Sequence, residues 1–179
     1  NKKDNAVLAF HALTGDQFAS GTNPITKKEG WWNYLIGPGK AIDTQKYFVI
    51  CANVIGGCMG SYGPSNINPK TNKNFGTEFP VITINDMVNA QYHLLEFFKI
   101  KKLFSVLGGS MGGMQVLQFV SNFPDKSETA IPIACTHSHS AQNIALNELG
   151  RQSIMADHNW ENGFYVDNNK SPDKGLAVA

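Results

Sequence analysis

An α/β fold with a mostly parallel sheet flanked by helices is predicted by three observations. Apolar runs of strand length alternate along the chain with amphipathic segments of helix length. The runs show almost no inside–outside alternation, the pattern of strands covered on both faces. One run, Leu103-Phe104-Ser105-Val106-Leu107, passes through Gly108-Gly109-Ser110-Met111-Gly112-Gly113 directly into a helical pattern.

The strands are expected at Ala6–Phe10, 47–53, 103–107 and 130–135, each rich in Val, Ile, Phe or Leu. Helices are expected at 85–98, Met111–Asn122 and 140–156. In the first, Val88, Gln91, Tyr92, Leu95 and Phe98 share a face, and Asp86 lies in the first turn, where a negative charge suits the helix dipole. In the second, Met114, Leu117, Val120 and Ser121 are read as one face, with Pro124 closing the element. Two glycine- and proline-rich stretches, 14–39 and 54–80, are longer than simple connections need to be. Long ordered loops at strand ends commonly build a binding site on a rigid sheet. Trp31, Trp32 and Tyr34 are expected to anchor the first loop by packing.

With 179 residues, 42% hydrophobic and 16% charged, the chain suits one globular domain. The net charge of +1, with lysines scattered except for the surface pairs Lys2-Lys3, Lys27-Lys28 and Lys101-Lys102, leaves no basic stripe for nucleic acid. No apolar run reaches the ~18–20 residues that span a bilayer and no leader is visible, so a cytoplasmic location is expected, with no membrane partner. The three cysteines, Cys51, Cys58 and Cys135, lack C-x-x-C spacing; Cys51 and Cys135 read as free buried thiols, and only Cys58 has a setting that could expose it. His137 and His139 could face one side of a strand end, but two imidazoles alone make a poor metal site, and no metal is expected.

The residues at the strand-to-helix bend carry the chemistry. Gly108-Gly109-Ser110-Met111-Gly112 is a G-x-S-x-G pattern, the nucleophile elbow of α/β-hydrolase-type enzymes. A serine hydroxyl is a weak nucleophile in water. A sharp turn lifts Oγ clear of the backbone beside a helix N-terminus, where developing negative charge is stabilised. Gly108 and Gly112 are expected where a Cβ would collide with neighbouring chain, and Gly109 and Gly113 are expected to relax that crowding further. A phosphate loop would carry a Lys after the glycines; Met114-Gln115 stands there instead. An oxyanion hole needs the amide after the nucleophile, here Met111, and a second from the loop after an earlier strand. The turn His11-Ala12-Leu13-Thr14-Gly15-Asp16, directly after the first strand, offers the Leu13 or Thr14 amide. His11 itself is read as a strand-end residue bonded to its own loop. Thr14 and Asn53, at strand ends, are the candidate substrate-binding residues.

Several long motifs in one order resemble the homoserine O-acetyltransferase family of α/β-hydrolase-fold acyltransferases. They are His11-Ala12-Leu13-Thr14-Gly15; Asn53-Val54-Ile55-Gly56-Gly57-Cys58-Met59-Gly60-Ser61-Tyr62-Gly63-Pro64; Phe79-Pro80 with Thr83 and Asp86-Met87-Val88; Leu107 through Gln115; Ser140-Ala141-Gln142-Asn143-Ile144-Ala145; and Arg151-Gln152. The resemblance implies an acyl-Ser110 intermediate that takes acetyl from acetyl-CoA and passes it to the hydroxyl of L-homoserine, in methionine biosynthesis. It implies acetyl-CoA as co-substrate with no bound cofactor, and a homodimer in the full-length protein. Homoserine O-succinyltransferase, serine O-acetyltransferase and serine esterase activities on the same scaffold, and a non-catalytic remnant, are the alternatives. In this fold the acid and base follow the elbow as Asp, then His. His137, His139 and His158 come too soon after Ser110, and Arg151 reads as a surface or ion-pair residue. Residues 1–179 are therefore expected to be part of a single α/β-hydrolase domain, cut at both ends, with its N-terminal strands and its acid/base segment outside the chain.

Overall fold

The computed structural model describes residues 5–179, so the Lys2-Lys3 pair lies outside the described residues. These residues form two compact units, one built from the chain up to Ser61 and from Ile82–His137, the other from Tyr62–Val81 and Ser138–Ala179.

The first unit holds a four-stranded parallel sheet in the order β4-β1-β7-β8, made of β1 (Ala6–Phe10), β4 (Phe48–Ile50), β7 (Leu103–Gly109) and β8 (Ser127–Ile133). Central β1 is buried along its whole length. Its residues part by the two-residue period of a strand. Ala6, Leu8 and Phe10 join α1 (Ile84–Phe97) and α2 (Met111–Asn122) in one core through Val88, Leu95, Val116 and Phe119; Val7 and Ala9 pack on the other face with Leu107, Trp32 and Ile42. With both faces covered, neither needs to be polar, which is why the sequence shows no alternation.

The first and last strands in this order behave differently. The 47–53 run pairs only over Phe48–Ile50, because the chain is drawn off the ladder beyond Cys51: the Val54 amide donates to His11 Nε2 at 3.1 Å. The 130–135 run, expected to be covered on both faces, is the end of β8, which stands last in the sheet order of the described residues and whose Ile131 and Ile133 are 48% and 41% exposed.

α1 starts with a capping box: Thr83 Oγ1 accepts from the Asp86 amide, and the Asp86 carboxylate accepts from the Thr83 amide at 2.8 Å. α2 buries Gly112, Gly113, Gln115, Val116 and Phe119, a face turned from the expected Met114-Leu117-Val120-Ser121 set. Glycines admitted for close approach and one buried amide occupy this face, and a reading by hydropathy passes over both. Within the 14–39 loop, Trp31 Nε1 donates to the Asp16 carbonyl at 2.9 Å and its ring lies 4.7 Å from Trp32, so both tryptophans are anchors; Tyr34 is 76% exposed and is not. This loop also contributes β2 (Ile36–Gly37), paired in parallel with β3 (Ile42–Asp43).

The second unit contains the antiparallel ribbon β5 (Ile67–Asn68) and β6 (Lys73–Asn74), α3 (Ala141–Met155) capped by Ser140, and α4 (Asp173–Val178). Arg151 pairs with Glu148 one turn back on α3. Asp157 accepts from the Asn159 amide at 2.9 Å and from the Gly175 amide, at the start of α4, at 2.9 Å. These amides hold its carboxyl below the usual carboxylate range, with His158 adding to the effect. A lowered folded-state value stabilises the fold above the unfolded pKa of about 3.9, and that contribution disappears as pH falls through the lower folded value. Asp157→Asn is expected to lower stability at neutral pH and to flatten the stability profile below about pH 4. Urea midpoints across pH 2–7 that run parallel in the two proteins would rule this out.

Candidate active site

The bend between β7 and α2 places Ser110 at the helix N-cap with φ 56° and ψ −121°. These are the angles of the first central residue of a type II′ turn, a position glycine normally fills, and holding serine there costs about 1–3 kcal/mol. Two main-chain bonds over-determine it: the Ser110 amide donates to the Ile133 carbonyl at 3.0 Å, and the Ser110 carbonyl accepts from the Met114 amide at 3.1 Å. Ser110 is exposed and its hydroxyl makes no capping bond to the helix. The first amides of α2, beginning with Met111, have no carbonyl one turn back inside the helix, so they present positive partial charge beside Oγ.

The glycines show why the bend closes. A Cβ on Gly112 would lie 2.2 Å from the Phe10 carbonyl oxygen, and one on Gly108 would lie 2.5 Å from the Gly112 backbone. Gly113 is crowded by Cys135, whose Sγ would stand 2.7 Å from its Cβ. Gly109, expected to relax the same crowding, has open space around it and is not required on that ground.

Phe10 pairs with Gly108 in the sheet, so the chain leaving β1 emerges beside the elbow. Leu13 and Thr14 lie there in an exposed turn closed by the Gly15 amide on the Ala12 carbonyl at 2.9 Å. His11 roots this turn. It is 1% exposed, its Nδ1 lies 2.8 Å from the Ala12 carbonyl, and its Nε2 receives the Val54 amide. An amide N–H aimed at Nε2 requires a lone pair there, which puts the proton on Nδ1, where it is donated to Ala12. Both ring nitrogens are thus engaged in holding the loop. Asn53 joins them, its Nδ2 3.2 Å from His11 Nε2, while its buried Oδ1 has no partner among the described residues. The backbone above it is close enough that a Cβ on Gly57 would stand 2.8 Å from that oxygen.

Cys51 and Cys135 are only partly buried, and Cys58 is exposed. Burial, and secondarily the Asp16 charge, pushes the Cys51 thiol up to about 12, and its Sγ lies 3.6 Å from the Asp16 carbonyl. Since the thiolate is the reacting form, iodoacetamide at pH 8 is expected to alkylate Cys58 and spare Cys51. Peptide mapping that finds Cys51 modified at the faster rate would contradict this. Among the described residues no group of three or more His, Cys, Asp or Glu side chains converges as a metal would need. No helix of the described residues is long and apolar enough to cross a membrane.

Sequence reasoning put Gln91 on the buried face of α1 but missed the buried amide of Gln115. Gln115 is 0% and Gln91 3% exposed, and they bond to each other, Gln91 Nε2 to Gln115 Oε1 at 3.1 Å. The signal for Gln115 was available: it stands at core spacing with Gly112, Val116 and Phe119 on its helix.

A strained, exposed serine between a parallel strand and a glycine-crowded helix is the nucleophile-elbow architecture. The sequence profile of the alpha/beta hydrolase fold family matches residues 5–175, and the chain belongs to that family. It is 80% identical over 177 residues to the homoserine O-acetyltransferase of Pelagibacter ubique (strain HTCC1062), covering 99% of this chain and 48% of that protein. The crystal structure of homoserine O-acetyltransferase from Bacillus anthracis superposes with a TM-score of 0.90 at 32% identity, covering 99% of this chain and 50% of that one. The crystal structure of esterase E22 superposes with a TM-score of 0.88 at 36% identity, covering 98% of this chain and 49% of that one. The chain spans about half the length of the curated relatives it matches.

Proposed function

We propose that this chain carries the nucleophile and the oxyanion hole of a homoserine O-acetyltransferase. The 80% identity to the Pelagibacter enzyme over 99% of the chain carries this reading. The exposed, strained Ser110 at the head of α2 supports it physically. In the first step Ser110 Oγ gives up its proton to a general base and attacks the thioester carbonyl of acetyl-CoA. The Met111 and Leu13 amides stabilise the tetrahedral oxyanion, and the carbon–sulfur bond breaks as the thiol leaves with the proton. In the second step the γ-hydroxyl of L-homoserine, deprotonated by the same base, attacks the acetyl-serine and frees Ser110 as O-acetylhomoserine forms. Thr14, exposed beside the elbow, and Asn53, its Oδ1 unpaired among the described residues, are the substrate-side residues in this reading.

The reading takes residues 1–179 as part of a single hydrolase domain, because the family match runs through both compact units. It puts the catalytic Asp and His outside these residues, since both nitrogens of His11 are engaged and the other four histidines, His93, His137, His139 and His158, lie in exposed positions. It further takes the whole protein to be a cytoplasmic homodimer of methionine biosynthesis that needs no bound cofactor and no nucleic acid. The test is mass spectrometry of the full-length protein under turnover with acetyl-CoA and homoserine. An added acetyl group on Ser110 with O-acetylhomoserine as the main product is expected; an unlabelled Ser110 overturns the reading in favour of a non-catalytic fold. The same assay with succinyl-CoA, or with serine as acceptor, separates the close variants.

A serine esterase is the second reading, favoured by the 36% identity to a solved esterase over 98% of the chain. Release of acetate in place of O-acetylhomoserine decides for it.

A further inference from the structure

We infer that Gln115 is a positioning residue that sets the separation of the two oxyanion-hole arms, an inference that rests on the oxyanion hole proposed above. Gln115 occupies the second turn of α2 with no exposed surface, on a face otherwise made of Gly112, Gly113, Val116 and Phe119. A buried primary amide costs stability unless its donors and acceptor are satisfied. The two N–H bonds of Nε2 point to the His11 carbonyl at 3.3 Å and the Met111 carbonyl at 3.5 Å, and Oε1 accepts from Gln91.

Those two carbonyls belong to the two arms. His11 is where the chain leaves β1 for the Leu13 turn, and Met111 is the first residue after Ser110. One rigid NH₂ group therefore bridges a main-chain atom of each arm, with its two hydrogens at a fixed angle. The bridge acts on a contact already at its limit, since Gly112 leaves no room for a Cβ against Phe10 O. The ring of His11 ties the same residue from the opposite side, to Ala12 and Val54. Without the bridge, the Leu13 turn loses its side-chain tie to α2 and the donor pair loses its spacing. A displacement of about 1 Å in such an arrangement costs about 10²-fold in rate.

The test compares Gln115→Met with Gln91→Met in the full-length protein. Both remove the bond between the two glutamines; only the first removes the bridge to the arms. Gln115→Met is expected to lower kcat about 10- to 100-fold with the KM for acetyl-CoA within about 3-fold, whereas Gln91→Met keeps kcat within about 3-fold. The burst of Ser110 acylation by p-nitrophenyl acetate, which needs the same oxyanion hole whether the enzyme is a transferase or an esterase, is expected to slow by the same factor in Gln115→Met. Equal kcat in the two variants overturns the inference and leaves the transferase reading intact. A wild-type protein that turns over neither substrate and gives no burst overturns both. Should Gln115→Met fail to fold, Gln115→Asn, one methylene too short to reach both carbonyls, is expected to show the same loss; if neither folds, Gln115 is a structural residue and the inference falls.

Discussion

Replacing Ser110 with glycine is expected to abolish acyl transfer and, at the same time, to stabilise the protein. In the proposed transfer Ser110 is the nucleophile, and serine knockouts in catalytic triads lower kcat by on the order of 10⁶-fold. The stability change has the opposite sign because the φ of 56° and ψ of −121° at this residue suit glycine. Relief of about 1–3 kcal/mol of backbone strain exceeds the extra unfolded-state entropy of glycine, up to about 1 kcal/mol, leaving a net gain of about 1 kcal/mol. In a protein of this size that raises Tm by about 2–4 °C. Ser110→Ala removes the same hydroxyl without relieving the backbone, so it should be equally inactive with no gain in Tm. Calorimetry on the pair separates the two effects. Equal melting temperatures would show that the bend stores no strain, and residual turnover in either variant would remove Ser110 from the chemistry.

Gly112→Ala is expected to be the most damaging single-methyl change in the molecule. Its Cβ would sit 2.2 Å from the Phe10 carbonyl oxygen and 3.1 Å from that of His11. The obstructing atoms are backbone at the end of the central strand, so no side chain can rotate away. Overpacking ordinarily costs 1–3 kcal/mol, and a backbone-to-backbone collision belongs at or above about 3 kcal/mol. Total stabilities run to only about 5–15 kcal/mol, so a large part of the folded population is at risk. Any protein that does fold must have moved α2 away from β1, and Ser110 acylation should then fall more than about 10²-fold. Gly109→Ala is the control, because nothing approaches that position; it should stay within about 0.5 kcal/mol of wild type. Matching urea midpoints for Gly112→Ala and wild type would mean that α2 does not bear on the β1 end as described.

How far the sequence could be read depended on how local each feature is. β1 at Ala6–Phe10 and α2 at Met111–Asn122 fall where the pattern puts them, because a β-rich run and a glycine-punctuated helix start are properties of neighbouring residues. The 130–135 run has the composition of a covered strand, but exposure is decided by what lies beside it, and among the described residues β8 has a strand on one side. The face of α2 was misread for a related reason: glycine and glutamine count as polar or neutral in a periodicity, yet Gly112 is buried by backbone approach and Gln115 by its hydrogen bonds. The short pairs β2–β3 and β5–β6 carry no periodicity that two residues could show.

By itself the sequence determined the parallel α/β architecture, the family motifs and the serine at the bend, all of which follow from short-range spacing. Only the tertiary structure decided that His11 is locked on both ring nitrogens, that Asn53 turns toward it, and that Gln115 donates to the His11 and Met111 carbonyls. The physical reason is separation along the chain. Gln115 and its His11 acceptor are 104 residues apart, and His11 and its Val54 donor are 43 apart. A buried polar group takes its role from its partners, and these become neighbours only when the sheet assembles.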